Sequence, residues 1–135
     1  MSRYLGIDYG EKRIGLSLSD PLKIIASDYD VILNDELDNV LSKLKEIIEK
    51  NDVEKIILGL PYNMNGSLGF QAEIVLNFKE ELEQFNIPII LIDERESSKK
   101  AETIMKELKI KNKKIRHTSD KKAASIILQD YLDYN

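Results

Sequence analysis

The sequence predicts an α/β fold: a mixed five-stranded sheet with helices on both faces. Three observations predict it: three short apolar runs open the chain, helical spacing begins near residue 34, and two continuous apolar runs follow later. With 135 residues, 42% of them hydrophobic, the chain can bury one core and is short for two. We therefore expect a single domain over residues 1–135.

The three opening runs predict an antiparallel meander. They extend from Arg3 to Asp8, from Arg13 to Leu18 and from Ile24 to Leu33. The two breaks between them are short and carry turn residues, among them Gly10, which suits a tight turn. These runs become the first three predicted strands.

The rest of the chain alternates helices and strands. Apolar residues at helical spacing predict a first helix, with Asn34 as a plausible N-cap. The further predicted elements, in order, are a strand at Lys55 to Leu60, a helix from Phe70 to Phe85, a strand at Ile87 to Asp93, and helices around Ala101 to Leu108 and from Asp120 to Leu132. Right-handed crossovers then favour the strand order 3-2-1-4-5.

Four acidic residues stand where strands end or a helix begins: Asp8, Asp93, Glu94 and Asp120. In the predicted topology the carboxyl ends of strands one, four and five share one rim, where open α/β sheets bind ligands. Clustered carboxylates repel one another unless a divalent cation compensates them. The pattern favours a Mg²⁺- or Mn²⁺-dependent enzyme, and a site with two cations would use three carboxylates to cleave a phosphodiester.

Each acidic motif also has a simpler explanation. Asp8, between Gly6 and Gly10, lies where small neighbours would let a phosphate or a metal approach, but it can equally cap a turn. Glu94 reaches further from its strand than Asp93, which stays the alternative ligand, yet both can belong to a charged loop. Asp120 can simply interact with a helix dipole.

Charge is unevenly distributed. The net charge is −4, but residues 95–122 carry eleven basic and four acidic residues, so this segment is +7 and the remainder −11. Such a segment can hold a polyanion beside a metal, or it can be a solvated lysine-rich surface. The residues expected to contact nucleic acid are Lys12, Arg13, Asn63, Asn65, Gly66, Arg95, Ser97, Ser98, Lys99, Lys100, Arg116, His117 and Lys121.

Composition narrows the remaining classes. The chain has no cysteine, which excludes disulfides and zinc–thiolate sites. No signal-peptide pattern opens the sequence, and no apolar run approaches the roughly 20 residues that span a bilayer. We expect a cytoplasmic protein without a membrane partner, as a monomer or a homodimer.

Four motifs together resemble the YqgF (RuvX) family. They are GIDYGEKRIGLSLSD, GLPYNMNGSLGFQA, DER before two hydroxyl residues, and DKKAASIIL, in this order between Gly6 and Leu132. The family is described as ribonuclease H-like, as Holliday junction resolvases and as nucleases that mature the 5′ end of pre-16S ribosomal RNA. The resemblance implies that Asp8, Glu94 and Asp120 form an acidic triad. It also implies that the protein acts in ribosome biogenesis.

One departure from the family pattern and two competing functions stay open. After DER this chain has Glu96-Ser97-Ser98 where the family usually has Leu-Thr-Thr, which adds a charge near the expected metals. GIDYG also resembles the phosphate loop of actin-like and sugar-kinase ATPases, but those enzymes hold nucleotide between two domains and 135 residues leave room for one. A non-catalytic RNA-binding assembly factor would use only the basic segment. We favour a nuclease on precursor ribosomal RNA, with branched DNA as the alternative substrate.

Overall fold

The computed structural model describes residues 2–61, 69–93 and 114–134, and of residues 114–121 the backbone alone. Its strands are β1 (Arg3–Tyr9), β2 (Arg13–Ser19), β3 (Ala26–Leu33), β4 (Val53–Leu60) and β5 (Ile89–Asp93). Its helices are α1 (Leu37–Asn51), α2 (Phe70–Leu82), which continues into a 3-10 turn (Glu83–Phe85), and α3 (Lys114–Tyr134). The helix predicted around Ala101 to Leu108 lies outside the described residues.

The strand order β3-β2-β1-β4-β5 confirms the predicted mixed sheet. β1, β2 and β3 pair antiparallel, while β1, β4 and β5 run parallel. The carboxyl ends of the three parallel strands therefore share one edge, which we call the carboxyl rim. In the register, Asp8 lies opposite Gly15 on β2, and Asp93 lies opposite Leu60 on β4.

Helices cover both faces of the sheet, as the sequence predicts. α1 and α2 pack on one face over a large apolar core that includes Leu5, Ile7 and Leu44, all fully buried. α3 packs on the other face, where the buried apolar cluster is Ile57, Ile127 and Leu128. Because side chains alternate along a strand, odd-numbered residues of β1 face α1 and α2, and even-numbered residues face α3.

The first helix begins later than the sequence predicts. The residue before α1 is Glu36, and its side chain makes no capping hydrogen bond. The Asn34 side chain instead donates from Nδ2 to the Gly10 carbonyl oxygen at 2.8 Å, and the Asn34 amide donates to the Lys12 carbonyl oxygen at 2.9 Å. The prediction of Asn34 as an N-cap is therefore wrong, because this residue closes the turn after β1.

The far end of α3 anchors the start of β3. Gln129 donates from Nε2 to the Ile24 carbonyl oxygen at 2.9 Å and accepts at Oε1 from the Ala26 amide at 2.8 Å. These two bonds satisfy backbone groups at the edge of the sheet. Among the helices in the described ranges, none combines the length and the apolar character that crossing a bilayer requires.

Candidate active site at the carboxyl rim

Asp8 occupies the carboxyl rim near the end of β1. It is partly buried, and its register partner on β2 is Gly15, which has no side chain to cover it. Its place in the strand alternation is that of Gly6, on the face that α3 covers. The carboxylate of Asp8 is thus carried by a central strand, on a rigid part of the sheet.

α3 lies close to β1 at Gly6. A Cβ atom added there would lie 2.8 Å from Leu128 Cβ, 2.9 Å from the Ala124 carbonyl oxygen, and closer still to Ser17 Oγ. Ser17 Oγ also donates to the Ala124 carbonyl oxygen at 2.8 Å, inside the protein. The expectation that Gly6 makes room for a phosphate or a metal is therefore wrong, because α3 fills that space.

This close contact sets the position of residue 120 along the sheet. Ala124 lies over Gly6, and Tyr131 meets Tyr4 edge to face with ring centroids 5.9 Å apart, so α3 runs from the carboxyl rim toward the start of β1. Four residues back from Ala124 is about 6 Å along a helix, and from Gly6 to Asp8 is about 6.6 Å along a strand. Residue 120 therefore comes level with Asp8.

Residue 120 is not in the first turn of its helix. α3 starts at Lys114, six residues earlier than the sequence predicts, and its first turn contains no acidic residue. The helix dipole acts mainly on groups within the first turn. The dipole explanation for Asp120 thus loses its basis.

Asp93 ends β5 on the same rim but occupies a different face. It is exposed, and it follows Ile89 and Leu91, which pack against the core under α1 and α2. Ile90 and Ile92, the alternate residues, pack with the cluster under α3. Strand alternation therefore gives Asp93 the α1/α2 face and Asp8 the α3 face.

The first hairpin carries two basic residues, and one of them, Arg13, is a neighbour of Asp8 in the sheet. Arg13 begins β2 two residues before Gly15, so it is a diagonal neighbour of Asp8 on the same face, within reach of a long side chain. Lys12 precedes it in the exposed turn. The hairpin turn itself depends on Gly10, because a Cβ there would collide with the Arg13 carbonyl oxygen.

The other predicted site residues fall into two groups. Those that lie outside the described residues are Glu94, Arg95, Ser97, Ser98, Lys99, Lys100, Asn63, Asn65 and Gly66. Arg116, His117, Asp120 and Lys121 belong to the part of α3 described by its backbone. The described residues contain no group of three acidic or histidine side chains arranged to hold a metal. An aspartate at the rim, with residue 120 level with it, fits the all-oxygen donor set that Mg²⁺ or Mn²⁺ takes.

A lysine and two tyrosines lie together near the amino ends of β1 and β4. Lys55 Nζ donates to Tyr131 Oη at 2.8 Å and lies 5.0 Å from the centroid of the Tyr4 ring. The hydrogen bond with Tyr131 raises the pKa of Lys55 above its ordinary value. This cluster joins α3 to β1 and β4, so the Lys55 ammonium group helps to hold the helix on the sheet.

A groove behind the carboxyl rim is a feature that sequence reasoning missed. It has a volume of about 400 Å³ and lies between the end of β1, the start of α1 and one side of α2. Ile74, Asn77, Phe78 and Glu81 contribute to it from α2. The signal available in the sequence was the pair of polar residues, Asn77 and Glu81, that the second predicted helix carries next to its apolar face.

Comparison with known proteins adds the family. The model of the RuvX family, described as a Holliday junction resolvase, matches residues 2–134. A relative from Clostridium acetobutylicum, named "Putative pre-16S rRNA nuclease", is 45% identical over 132 residues, which are 97% of this chain and 98% of the relative. The chain belongs to the RuvX family. The resemblance stated from the four motifs is confirmed.

Two solved structures share the fold of this RuvX protein. Thermus thermophilus RuvC, solved with a Holliday junction substrate, has a TM-score of 0.57 at 13% identity, over 94% of this chain and 92% of RuvC. A ROK family protein from Streptococcus pneumoniae, solved with sucrose, has a TM-score of 0.52 at 21% identity, over 74% of this chain and 37% of that protein. Both likenesses concern the fold alone.

Proposed function

We propose that this RuvX protein is a divalent-metal-dependent nuclease that hydrolyses phosphodiesters of structured nucleic acid. One observation carries the proposal: Asp8 stands at the carboxyl rim, on the face of the sheet where residue 120 of α3 comes level with it. Two acidic positions far apart in the sequence are thereby level with each other near the rim where α/β sheets bind ligands, which supports the proposal. We propose that one domain, residues 1–135, performs the reaction.

The proposed metal holders are Asp8, Glu94 and Asp120. The position of Asp93 supports Glu94 over Asp93, because Asp93 shares its face with Ile89 and Leu91, away from Asp8. Asp93 remains the alternative ligand until a variant decides between them. Acidic side chains repel one another without a cation, so the triad also supports the cofactor, Mg²⁺ or Mn²⁺.

Arg13 and Lys12 are proposed to bind the phosphate backbone. Both belong to the hairpin that places Arg13 diagonally from Asp8, and a guanidinium can hold two phosphate oxygens in parallel. When bound, the cations would activate a water and stabilise the leaving oxygen. The protein's own part is to hold the phosphodiester in line with the carboxylates, with the basic residues 95–122 as a further polyanion contact.

The favoured substrate is precursor ribosomal RNA. The name of the Clostridium acetobutylicum relative, which covers nearly the whole chain, supports cleavage at pre-16S rRNA. We propose processing of its 5′ end, in the cytoplasm, as a step of ribosome biogenesis. Branched DNA is the second candidate, because the family description names Holliday junctions.

The decisive experiment measures cleavage by Asp8→Asn with and without Mg²⁺ or Mn²⁺. The substrates are labelled pre-16S RNA and a four-way DNA junction. We expect the rate to fall by more than about 100-fold, beyond the 10- to 100-fold typical of residues that only orient metal ligands. Circular dichroism should show an unchanged fold.

Glu49→Gln is the matched control, because it neutralises an exposed carboxylate near the end of α1. It should cleave like the unmodified chain. Asp93→Asn decides the third ligand: loss of cleavage would transfer that role from Glu94 to Asp93. Full cleavage by Asp8→Asn would remove Asp8 from the metal holders. Salt-sensitive RNA binding with no cleavage by the unmodified chain would contradict the nuclease and favour an assembly factor.

A further inference from the structure

We infer that the groove behind the carboxyl rim binds one unpaired nucleobase that carries an exocyclic amino group. The groove lies on the α1/α2 side of the sheet, whereas Asp8 belongs to the α3 side. The inference rests on the proposed nuclease function, because the base would belong to the bound substrate. The volume of the groove, about 400 Å³, lies within the range of small-ligand sites.

Aromatic rings form one wall of the groove. The rings of Tyr9 and Phe78 pack with centroids 4.5 Å apart and an angle of 41° between their planes. Phe78 is almost completely buried and Tyr9 half-buried, so Tyr9 offers the accessible ring surface. Leu37, at the start of α1, adds an exposed apolar side chain. Bases stack readily on such aromatic and apolar surfaces.

Hydrogen-bond acceptors face this apolar wall. Asn34 donates its amide nitrogen Nδ2 to the Gly10 carbonyl oxygen, which leaves Oδ1 to accept. Asn77 and Glu81, both exposed, line the groove one helical turn apart on α2. An ionised glutamate only accepts hydrogen bonds, so these groups favour a partner with N–H donors. Adenine, cytosine and guanine present the two N–H donors of an exocyclic amino group, whereas uracil presents only one ring N–H on its pairing edge.

The charge of the described lining disfavours a phosphate as the occupant. Among the described residues that line the groove none is basic, and Glu81 is acidic. A phosphate would be repelled by Glu81, whereas a neutral base gains from it. The groove therefore fits the uncharged part of a nucleotide, and the backbone would stay at the rim.

The groove begins one residue away from Asp8 along β1, at Tyr9. Tyr9 directly follows Asp8, and Cα atoms of consecutive residues are about 3.8 Å apart. Asn34 stabilises the turn between β1 and β2 through its hydrogen bonds to the carbonyl oxygens of Gly10 and Lys12. A strand whose phosphate lies at Asp8 can thus turn a neighbouring base to the other side of the sheet edge.

Binding of labelled oligo(A), oligo(C) and oligo(U) RNA of equal length tests the inference. Fluorescence anisotropy without divalent metal separates binding from cleavage. The unmodified chain should bind oligo(A) and oligo(C) about three- to tenfold more tightly than oligo(U), which is the effect of one hydrogen bond. Asn77→Ala and Glu81→Gln should bring this ratio toward one.

Glu80→Gln is the matched control, because it removes the same charge from an exposed neighbour outside the groove. It should keep the ratio while changing overall affinity as much as Glu81→Gln does. Equal affinity for the three RNAs, or an unchanged ratio in both groove variants, would overturn the inference. If cleavage persists in that case, the groove alone is refuted; a base preference without any cleavage refutes only the nuclease.

Discussion

The two faces of the sheet are packed by opposite means. On the α1/α2 face, large side chains such as Leu5, Ile7 and Leu44 fill a continuous core with none of their surface exposed. On the α3 face, the helix can lie close to β1 because Gly6 has no side chain, and Ser17 donates a hydrogen bond to the Ala124 carbonyl oxygen. Large buried side chains stabilise the first face, and close packing of α3 on β1 is what distinguishes the second.

This difference separates stability from the site. The α1/α2 face buries most of the apolar surface, which is the main favourable contribution to folding. The α3 face brings residue 120 level with Asp8, and that alignment depends on how closely the helix lies on β1. Large-to-small changes should therefore damage the first face, and small-to-large changes the second.

The largest expected effect on stability is that of Leu44→Ala. Leu44 is fully buried in the α1/α2 core, so its truncation leaves a cavity and should lower the free energy of unfolding by about 2–5 kcal/mol. Cleavage below the unfolding transition should stay close to that of the unmodified chain. Urea denaturation and a cleavage assay at low temperature measure both quantities. A loss of activity in the folded variant would show that this face also positions the site.

Gly6→Ala should have the next largest effect, with the opposite balance. The added Cβ collides with Leu128, Ala124 and Ser17, which should cost about 1–3 kcal/mol of stability. Because α3 must move away from β1, cleavage should fall by up to about 100-fold in the folded variant. The same two assays apply. Unchanged cleavage would break the link between the helix contact and the site.

Ser17→Ala should have the smallest effect. It removes the buried hydrogen bond to the Ala124 carbonyl oxygen and should cost about 1 kcal/mol, as measured by thermal unfolding. Ser27→Ala, at an exposed position of β3, is the matched control and should change nothing measurable. An equal loss in the two variants would mean that the bond between Ser17 and α3 contributes no specific stability.

Much of the fold could be predicted because its signals are local. Alternation and helical spacing predict every described strand and helix, within a few residues at most boundaries. The start of α3 was placed six residues too late, since the polar run from Lys114 to Ser119 has no apolar periodicity. Asn34 misled for a related reason: its capping potential is local, but its actual partner, Gly10, is 24 residues away in sequence.

The sequence by itself determined the order of the strands and the family, since apolar runs, turn residues and four motifs record them, and it made Asp8 the first predicted metal holder. Only the tertiary structure decided which acids share a face. Strand alternation sets Asp93 apart from Asp8, and the contact at Gly6 aligns residue 120 with it. The groove at Tyr9 also emerged only there. Such relations depend on contacts between distant segments, which no local pattern encodes.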